Sequence, residues 1–369
     1  MRVGILGAGQ LGRMLALAGY PLGLRFRFLD PNAAAPAGPL AELVVADYDD
    51  ADALRRFADG LDVATYEFEN VPAAAADFLD GRVPAVHPHY EALAAAQDRL
   101  AEKNVFRRLG IPTAPFAPVD SRDDLARAVD AVALPAVLKT RRFGYDGKGQ
   151  FVLRERADVD RAWAALGGSP LILEGFVDFE RELSILAVRG RDGDVAFYPL
   201  VENVHRAGIL RRSTAPAPAT SPELQARAEA YARAVLEEFD YVGVLAIELF
   251  HRGDELLANE MAPRVHNSGH WTIEGAETSQ FENHLRAICG MPLGSTAPRG
   301  HAVMVNLIGA VPDSADALAV PGAHLHLYDK APRPGRKIGH ITVRAEDHAV
   351  VARRAAALEA LPGAAATER

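Results

Sequence analysis

Asn259-Glu260-Met261-Ala262-Pro263-Arg264-Val265-His266-Asn267-Ser268-Gly269-His270-Trp271-Thr272 follows an apolar run, residues 242–250, that holds one interior acid, Glu248. A carboxylate in an apolar strand is costly to bury unless something neutralises it. A turn at Arg252-Gly253-Asp254 brings the second acid, Glu260, back towards the first. Two carboxylates brought together repel, and a divalent cation between them relieves the repulsion. Side chains alternate along a strand. Direct pairing of Glu248 with Glu260 therefore demands an odd hairpin loop, such as Gly253-Asp254-Glu255, or a bulge between residues 250 and 258. A two-residue turn alone puts the acids on opposite faces. On this reading both acids coordinate Mg²⁺, and Asn259 faces the other way or reaches round the strand end. His266, Asn267, Ser268 and His270 then supply four hydrogen-bonding side chains within five positions, a polar ligand pocket beside the metal. The competing reading is a pair of solvated surface acids.

Working outward, the N-terminal part alternates strands (3–6, 25–29, 43–46, 63–68) with helices, the pattern of a parallel sheet. This first unit is placed at 1–98. A helix over 97–109 leads to Ile111-Pro112-Thr113-Ala114-Pro115, whose prolines mark a junction. A smaller unit, 99–180, has strands at 136–139, 151–153 and 171–177 and a helix at 158–166. The third unit, 181–369, has strands at 183–189 and 196–201, a helix over 222–239, the acid-bearing hairpin, strands near 303–307, 325–328 and 338–343, and a final helix over 347–361.

The 369 residues are 49% hydrophobic and 24% charged, with a formal net charge of -9. That balance argues against a general nucleic-acid binder. The single cysteine, Cys289, excludes a disulfide framework and a cysteine-ligated zinc site. No apolar run reaches the roughly 18 residues of a membrane span. Residues 1–7 read as a buried strand and not as a signal peptide, so a cytoplasmic protein is expected.

Two glycine-rich turns point to anions. Gly7-x-Gly9-x-x-Gly12, with Asp30 beyond it, matches the dinucleotide fingerprint, in which glycines let an anion approach a helix N-terminus. Anion binding, a packing turn and NAD binding all remain open. Gly144-Tyr145-Asp146-Gly147-Lys148-Gly149-Gln150 lies between strands, so its backbone N–H groups suit a lid over phosphates and not a Walker loop. Lys139, at the preceding strand end, reaches the same phosphates as a point charge. The backbone of Glu174, Gly175, Phe176 and Val177 offers a strand edge to an adenine, and Glu182 suits ribose hydroxyls or a salt bridge with Arg181. Lys330, Arg333, Arg336 and Lys337 surround Pro332 and Pro334-Gly335, a basic loop suited to a phosphate ester.

Taken together, these segments resemble the ATP-grasp superfamily, and within it the family of 5-(carboxyamino)imidazole ribonucleotide synthases, over nearly the whole chain. The residues carrying the resemblance are Gly9-Gln10-Leu11-Gly12-Arg13-Met14, Tyr66-Glu67-Phe68-Glu69-Asn70, the Phe143 to Gln150 loop, Asn259 to Thr272, Tyr328-Asp329-Lys330 and Gly335-Arg336-Lys337-Ile338-Gly339-His340. The resemblance implies an α/β (α+β) protein with the ATP-grasp fold: an N-terminal Rossmann-like parallel-sheet domain, a small lid domain and a C-terminal mixed-sheet domain. It implies ATP contacts at Arg99, Lys139, Gly144, Tyr145, Asp146, Gly147, Lys148, Gly149, Gln150, Glu174 to Val177, Glu182, His205, Asn259 and Glu260, with Mg²⁺ held by Glu248 and Glu260. Aminoimidazole ribonucleotide would lie against Gly9, Gln10, Leu11, Glu69, Asn70, Tyr145, His266, Asn267, Ser268, Lys330, Arg336 and Lys337. Asp146, Lys148, His266 and Lys330 are the implied catalytic groups, with Asp146 or His266 taking the amine proton. The implied reaction is ATP-dependent carboxylation by bicarbonate in a cytoplasmic homodimer, with no nucleic-acid or membrane partner. Val265 stands where proline is expected, and Lys148 where some relatives carry arginine. The competing activities are a formate-using formyltransferase, a biotin carboxylase, an NAD-dependent dehydrogenase and a non-catalytic nucleotide-binding regulator.

Overall fold

The structure is a computed structural model, and it describes residues 1–144 and 148–365. Four short apolar strands, β1 (Arg2–Leu6), β2 (Arg25–Asp30), β3 (Glu42–Val45) and β4 (Val63–Tyr66), form a parallel sheet in the order β3-β2-β1-β4. The helix Gln10–Gly19 follows β1 and Ala51–Ala58 follows β3. The expected helix between the second and third strands is absent. Only the short 3₁₀ turn Gly38–Leu40 lies there, in a segment punctuated by Pro31, Pro36 and Pro39, which removes N–H donors.

A second sheet is antiparallel, in the order β5-β8-β6-β7, from β5 (Phe116–Val119), β6 (Ala136–Thr140), β7 (Gln150–Leu153) and β8 (Leu171–Gly175). Helices Arg122–Val132 and Asp158–Leu166 bury Leu125, Ala128, Val129, Val159 and Ala162 on it. The helix expected over 97–109 is present as Arg99–Arg108; a separate helix, Tyr90–Ala96, precedes it, and Asp98 turns extended and caps the second, accepting from Leu100 N (3.0 Å) and Ala101 N (3.3 Å).

The largest sheet contains β9 (Arg181–Arg189), β10 (Val195–Phe197), β11 (Val201–Arg206), β12 (Ile209–Ala215), β13 (Gly243–Arg252), β14 (Glu255–Ala262), β15 (His301–Ile308), β16 (Ala323–Leu327) and β17 (Lys337–Ala345). Its order is β14-β13-β9-β11-β12-β15-β17-β16, with β10 against β9. Expected to be mixed, it is antiparallel in every ladder. Tight reversals such as those after β11 and β13 join antiparallel neighbours, whereas parallel neighbours need crossovers. The helix Pro222–Glu238 buries Leu224, Ala228, Ala232, Val235 and Leu236 on one face.

The first sheet and the largest sheet share a core. Leu11, Met14 and Leu15 of the first helix pack with Phe281, Leu285 and Ile288 of the helix Gln280–Ile288. His284 bridges the same boundary: its Nδ1 accepts from Val244 N (3.1 Å), which leaves the Nε2 proton for Thr65 Oγ1 (3.0 Å). Burial pushes its pKa down to about 3. An imidazole whose folded pKa lies below its unfolded value of 6.5 leaves stability untouched above that value and lowers it as pH falls towards 3. The expected result is that His284→Gln removes about 2 kcal/mol of the acid destabilisation seen between pH 7 and pH 5. Urea unfolding at the two pH values checks it, and an unchanged pH slope contradicts it.

Candidate active site

The hairpin of β13 and β14 pairs Glu248 directly with Glu260. Its turn holds two residues, Gly253 and Asp254, between the paired Arg252 and Glu255. The parity is restored by a bulge, because Leu249 pairs with Ala258 and Asn259 is the extra residue. The bulge therefore lies at Asn259, beside the acid it serves, and not between 250 and 258. On the neighbouring strands Ser184 pairs with Glu248, Asn203 with Glu182, and Ser213 with Asn203. By the alternation of side chains, Glu248, Ser184, Glu182, Asn203 and Ser213 share one face of the sheet with Glu260.

Cations surround this face. Arg99 Nη1 is 2.9 Å from Glu260 Oε2, and Lys139 Nζ is 3.1 Å from Glu174 Oε2. Lys103, which the sequence reading did not single out, approaches the same Glu174 oxygen at 3.4 Å. Burial alone would raise the Glu174 pKa, but the Lys103 and Lys139 ammoniums outweigh it and hold it at about 2. Burial likewise opposes ionisation of Glu260, and Arg99 outweighs it, leaving this carboxyl below its ordinary value. Glu248 shifts the other way. Burial, then the Glu260 charge, pushes it up to about 7, although His205 and Lys337 oppose the shift. Lys139 is lowered by burial, against the pull of Glu174.

Oxygen donors suited to a hard cation are present. Glu248 and Glu260 face each other, and Asn259 Oδ1 is buried with no protein partner among the described residues. No cluster of three or more His, Cys, Asp or Glu exists among them. Two carboxylates and an amide oxygen, with the remaining positions left to phosphate or water, fit the preference of Mg²⁺.

The nucleotide loop closes at its base, where Thr140 N donates to Gly149 O at 2.8 Å. Gly149 has φ +71°, and a Cβ there would stand 2.6 Å from Thr140 Oγ1. Gly144 adjoins Arg99, Gln150 opens β7 opposite Lys139, and Lys148 is exposed. Tyr145, Asp146 and Gly147 lie outside the described residues. Along the expected adenine edge, Gly175 N and Phe176 N already donate to Pro115 O (2.8 Å) and Pro135 O (3.0 Å). That leaves Val177 N–H without a protein acceptor among the described residues. The Glu174 side chain faces the lysines and not this edge. Glu182 bonds His205 Nδ1, while Arg181 is 3.5 Å from Glu202, so the alternative of an Arg181–Glu182 salt bridge does not hold.

His266 stands at the junction of the two halves. Its Nδ1 accepts from Ser268 N (3.3 Å) and meets Ser268 Oγ (2.9 Å), which leaves the proton on Nε2, 3.3 Å from Glu248 Oε1. Burial, then Arg264, holds this imidazole well below its ordinary pKa, so it stays neutral. Ser268 does not face a ligand. It is fully buried, and its hydroxyl meets Ser184 Oγ at 2.8 Å. Asn267 is likewise engaged, exchanging amide bonds with Asn306 (3.1 and 2.8 Å). Glu69 pairs with Arg264, Asn70 is half-buried beside it, and Arg336 donates to Ala331 O (3.2 Å). Lys337 lies close enough to stabilise the Glu248 charge and to oppose protonation of His266.

The fingerprint turn is filled by the protein itself. The Glu67 carboxylate accepts from Gly9 N (2.8 Å), Leu11 N (3.1 Å) and Gly12 N (3.1 Å), and Asp30 accepts from Ala8 N (2.8 Å). A Cβ on Gly9 would stand 2.7 Å from Glu67 Oε1. The donors that a dinucleotide pyrophosphate needs are taken, so the NAD reading falls. The Gly9 and Leu11 amides are equally closed to a substrate phosphate. The Gln10 side chain remains at the surface of the turn and bonds Lys330.

Comparison with known proteins matches this arrangement over three successive segments: a ribonucleotide synthetase preATP-grasp domain at 1–97, an ATP-grasp domain at 104–281 and a phosphoribosylaminoimidazole carboxylase C-terminal domain at 302–354. The N5-carboxyaminoimidazole ribonucleotide synthase of Pseudomonas aeruginosa is 57% identical over 361 residues, covering 98% of this chain and 99% of the relative. The chain belongs to the N5-carboxyaminoimidazole ribonucleotide synthase family. The Thermus thermophilus synthetase of this family superposes with a TM-score of 0.94 at 62% identity, over 98% of both chains. An Aspergillus clavatus synthase, solved with ADP and 5-aminoimidazole ribonucleotide, superposes with a TM-score of 0.89 at 34% identity, over 96% of both chains. As a family member the chain has the ATP-grasp fold expected of it.

Proposed function

We infer that this chain is an ATP-dependent ligase that carboxylates 5-aminoimidazole ribonucleotide with bicarbonate, giving 5-(carboxyamino)imidazole ribonucleotide, ADP and phosphate in de novo purine biosynthesis. The observation that carries the reading is the position of Glu248, which pairs with Glu260 on the nucleotide side and meets His266 Nε2 at 3.3 Å on the substrate side. Phosphoryl transfer to bicarbonate would thus take place beside the amine that captures its product.

Glu248, Glu260 and Asn259 would hold Mg²⁺, which supplies charge neutralisation on the transferred phosphoryl group. Lys139 and Arg99 present fixed positive charge to the same phosphates, preorganised by Glu174 and Glu260. Bicarbonate attacks the γ-phosphate to form carboxyphosphate, and its breakdown releases CO2 and phosphate within a site from which water must be kept. The exocyclic amine captures the CO2. His266 is one proposed acceptor of the amine proton: its Nδ1 is taken by Ser268 N and its proton sits on Nε2, so it would act by passing that proton to Glu248 Oε1, 3.3 Å away, as it takes the amine's. Asp146 is the other proposed acceptor. Lys330, Arg336 and Lys337 take the phosphate of the ribonucleotide, with Gln10 beside it.

We keep the division into 1–98, 99–180 and 181–369. A homodimer in the cytoplasm is the working unit implied by the family resemblance. No helix among the described residues is long and apolar enough to cross a membrane.

The direct test measures ADP release with Mg²⁺, bicarbonate and 5-aminoimidazole ribonucleotide, omitting each in turn. Release that ignores the ribonucleotide overturns the reading. A pH profile adds a second check. Burial pushes Lys330 down to about 8. A lysine lowered by burial is cationic only below that value, so the phosphate loses its counter-charge as pH rises past it. Above pH 8, kcat/KM for the ribonucleotide is expected to fall by about tenfold per pH unit, and Lys330→Arg to remove the fall. A Lys330→Arg profile identical to the wild type contradicts this.

A further inference from the structure

The strand that carries Glu260 is the last in the order of the largest sheet: β14 pairs with β13, and its outer side meets an isolated bridge from Ala258 to Thr113, where Ala258 N donates to Pro112 O (2.7 Å). Its bulge leaves Asn259 out of the ladder, and an extra residue of that kind has backbone groups in need of partners. One helix, Arg99–Arg108, meets those needs with side chains. Lys103 Nζ donates to Asn259 O (2.7 Å) and Ala258 O (3.4 Å), and the adjacent Glu102 accepts from Met261 N (2.6 Å). Arg99, one turn earlier on the same helix face, holds the Glu260 carboxylate. The third direction of the Lys103 ammonium is taken by Glu174 of β8, in the small sheet, at 3.4 Å. Lys103 is 1% exposed, so it touches no ligand.

We propose that Lys103 is a positioning residue of the nucleotide and metal site: it fixes the bulge that sets Glu260 opposite Glu248 and ties that bulge to the small sheet through Glu174. The proposal rests on Glu248 and Glu260 holding Mg²⁺. Two consequences follow from the geometry. Without Lys103, the Asn259 carbonyl is unpaired in the interior, and the cheapest repair slides β14 back into a regular ladder, which turns Glu260 away from Glu248. Glu174 is also left with Lys139 as its contacting ammonium, which draws Lys139 from the phosphates. The first effect strikes nucleotide bound with metal, whereas the second weakens nucleotide in either state and is limited because Lys139 already contacts Glu174 at 3.1 Å.

The experiment is calorimetric titration of ADP into wild type and Lys103→Met, with Mg²⁺ and with a chelator in its place. In the variant, the tightening that Mg²⁺ confers should shrink by about tenfold or more, while affinity in chelator changes by less than about threefold. A wild-type Mg²⁺ effect in the variant overturns the proposal. If Lys103→Met does not fold, the double variant Lys103→Met/Glu174→Gln, which removes the buried charge left behind, is titrated in the same way. Should that protein also fail to fold, Lys103 serves the fold alone and the proposal is overturned. If Mg²⁺ fails to tighten ADP even in the wild type, the metal reading of Glu248 and Glu260 is what has failed, and this proposal falls with it.

Discussion

Glu260→Gln is expected to lower kcat by about a thousandfold, equivalent to ~4 kcal/mol of transition-state stabilisation, in a protein that still folds. Glutamine is nearly isosteric and keeps an oxygen for Arg99 Nη1, now 2.9 Å away. What it removes is one of the two negative charges facing each other across the hairpin. On the proposed reading the phosphoryl group being transferred then loses the Mg²⁺ that these charges would hold, and the loss falls on the transition state, where that charge develops. Glu248 also changes, because the neighbouring charge that helps raise it to about 7 is gone. Steady-state kinetics over a Mg²⁺ titration, with a thermal melt in parallel, gives the answer. Activity within about tenfold of the wild type at any Mg²⁺ concentration removes Glu260 from the ligand set.

Glu67→Ala is expected to cost about 3 kcal/mol of stability and to weaken the ribonucleotide site as well. Three backbone N–H groups, of Gly9, Leu11 and Gly12, lose their acceptor in a region where Glu67 itself is 6% exposed. Each unpaired buried donor costs ~1–3 kcal/mol, and water entering the vacated space recovers part of the sum. Glu67→Gln should lose about half as much, since one amide oxygen remains an acceptor while the amide nitrogen faces donors. The measurement is the urea midpoint of the three proteins side by side. Coincident midpoints for the wild type and Glu67→Ala would exclude a structural role for this carboxylate.

The glycine fingerprint shows how far sequence reading reached. Its spacing leaves anion binding, a packing turn and a dinucleotide open, and the group that fills the turn is the chain's own Glu67, 58 residues from Gly9. No local pattern distinguishes an internal carboxylate from a bound phosphate, because both satisfy the same N–H groups. The hairpin was more legible. A period of two residues converts the positions of Glu248 and Glu260 into a demand for odd parity, which the bulge meets. Where the bulge sits depends on Lys103 and Glu102, which act on β14 from a helix over 150 residues earlier. Their only local sign is the i, i+3, i+4 spacing with Arg99. Strand β12 escaped because Arg211-Arg212-Ser213-Thr214 reads as a polar loop. It is an interior strand whose Ser213 faces the polar row of the site, and whose Arg212 is paired with Glu359.

The location of the bulge also sorts the hairpin into a part that tolerates length change and a part that does not. Four paired positions, Leu249 to Arg252, separate Glu248 from the turn, roughly 13 Å of strand at ~3.3 Å per residue. Residues inserted at Gly253 and Asp254 lengthen a solvent-facing tip and leave the pairing of the acids as it is. Removing Asn259 leaves Glu260 opposite Glu248 in a regular ladder, but takes away the buried amide oxygen and the bulged carbonyl that Lys103 holds. Among natural variants of this chain, insertions and deletions should therefore gather at the tip, which is also the place to graft an epitope or a spectroscopic label close to a working phosphoryl-transfer site.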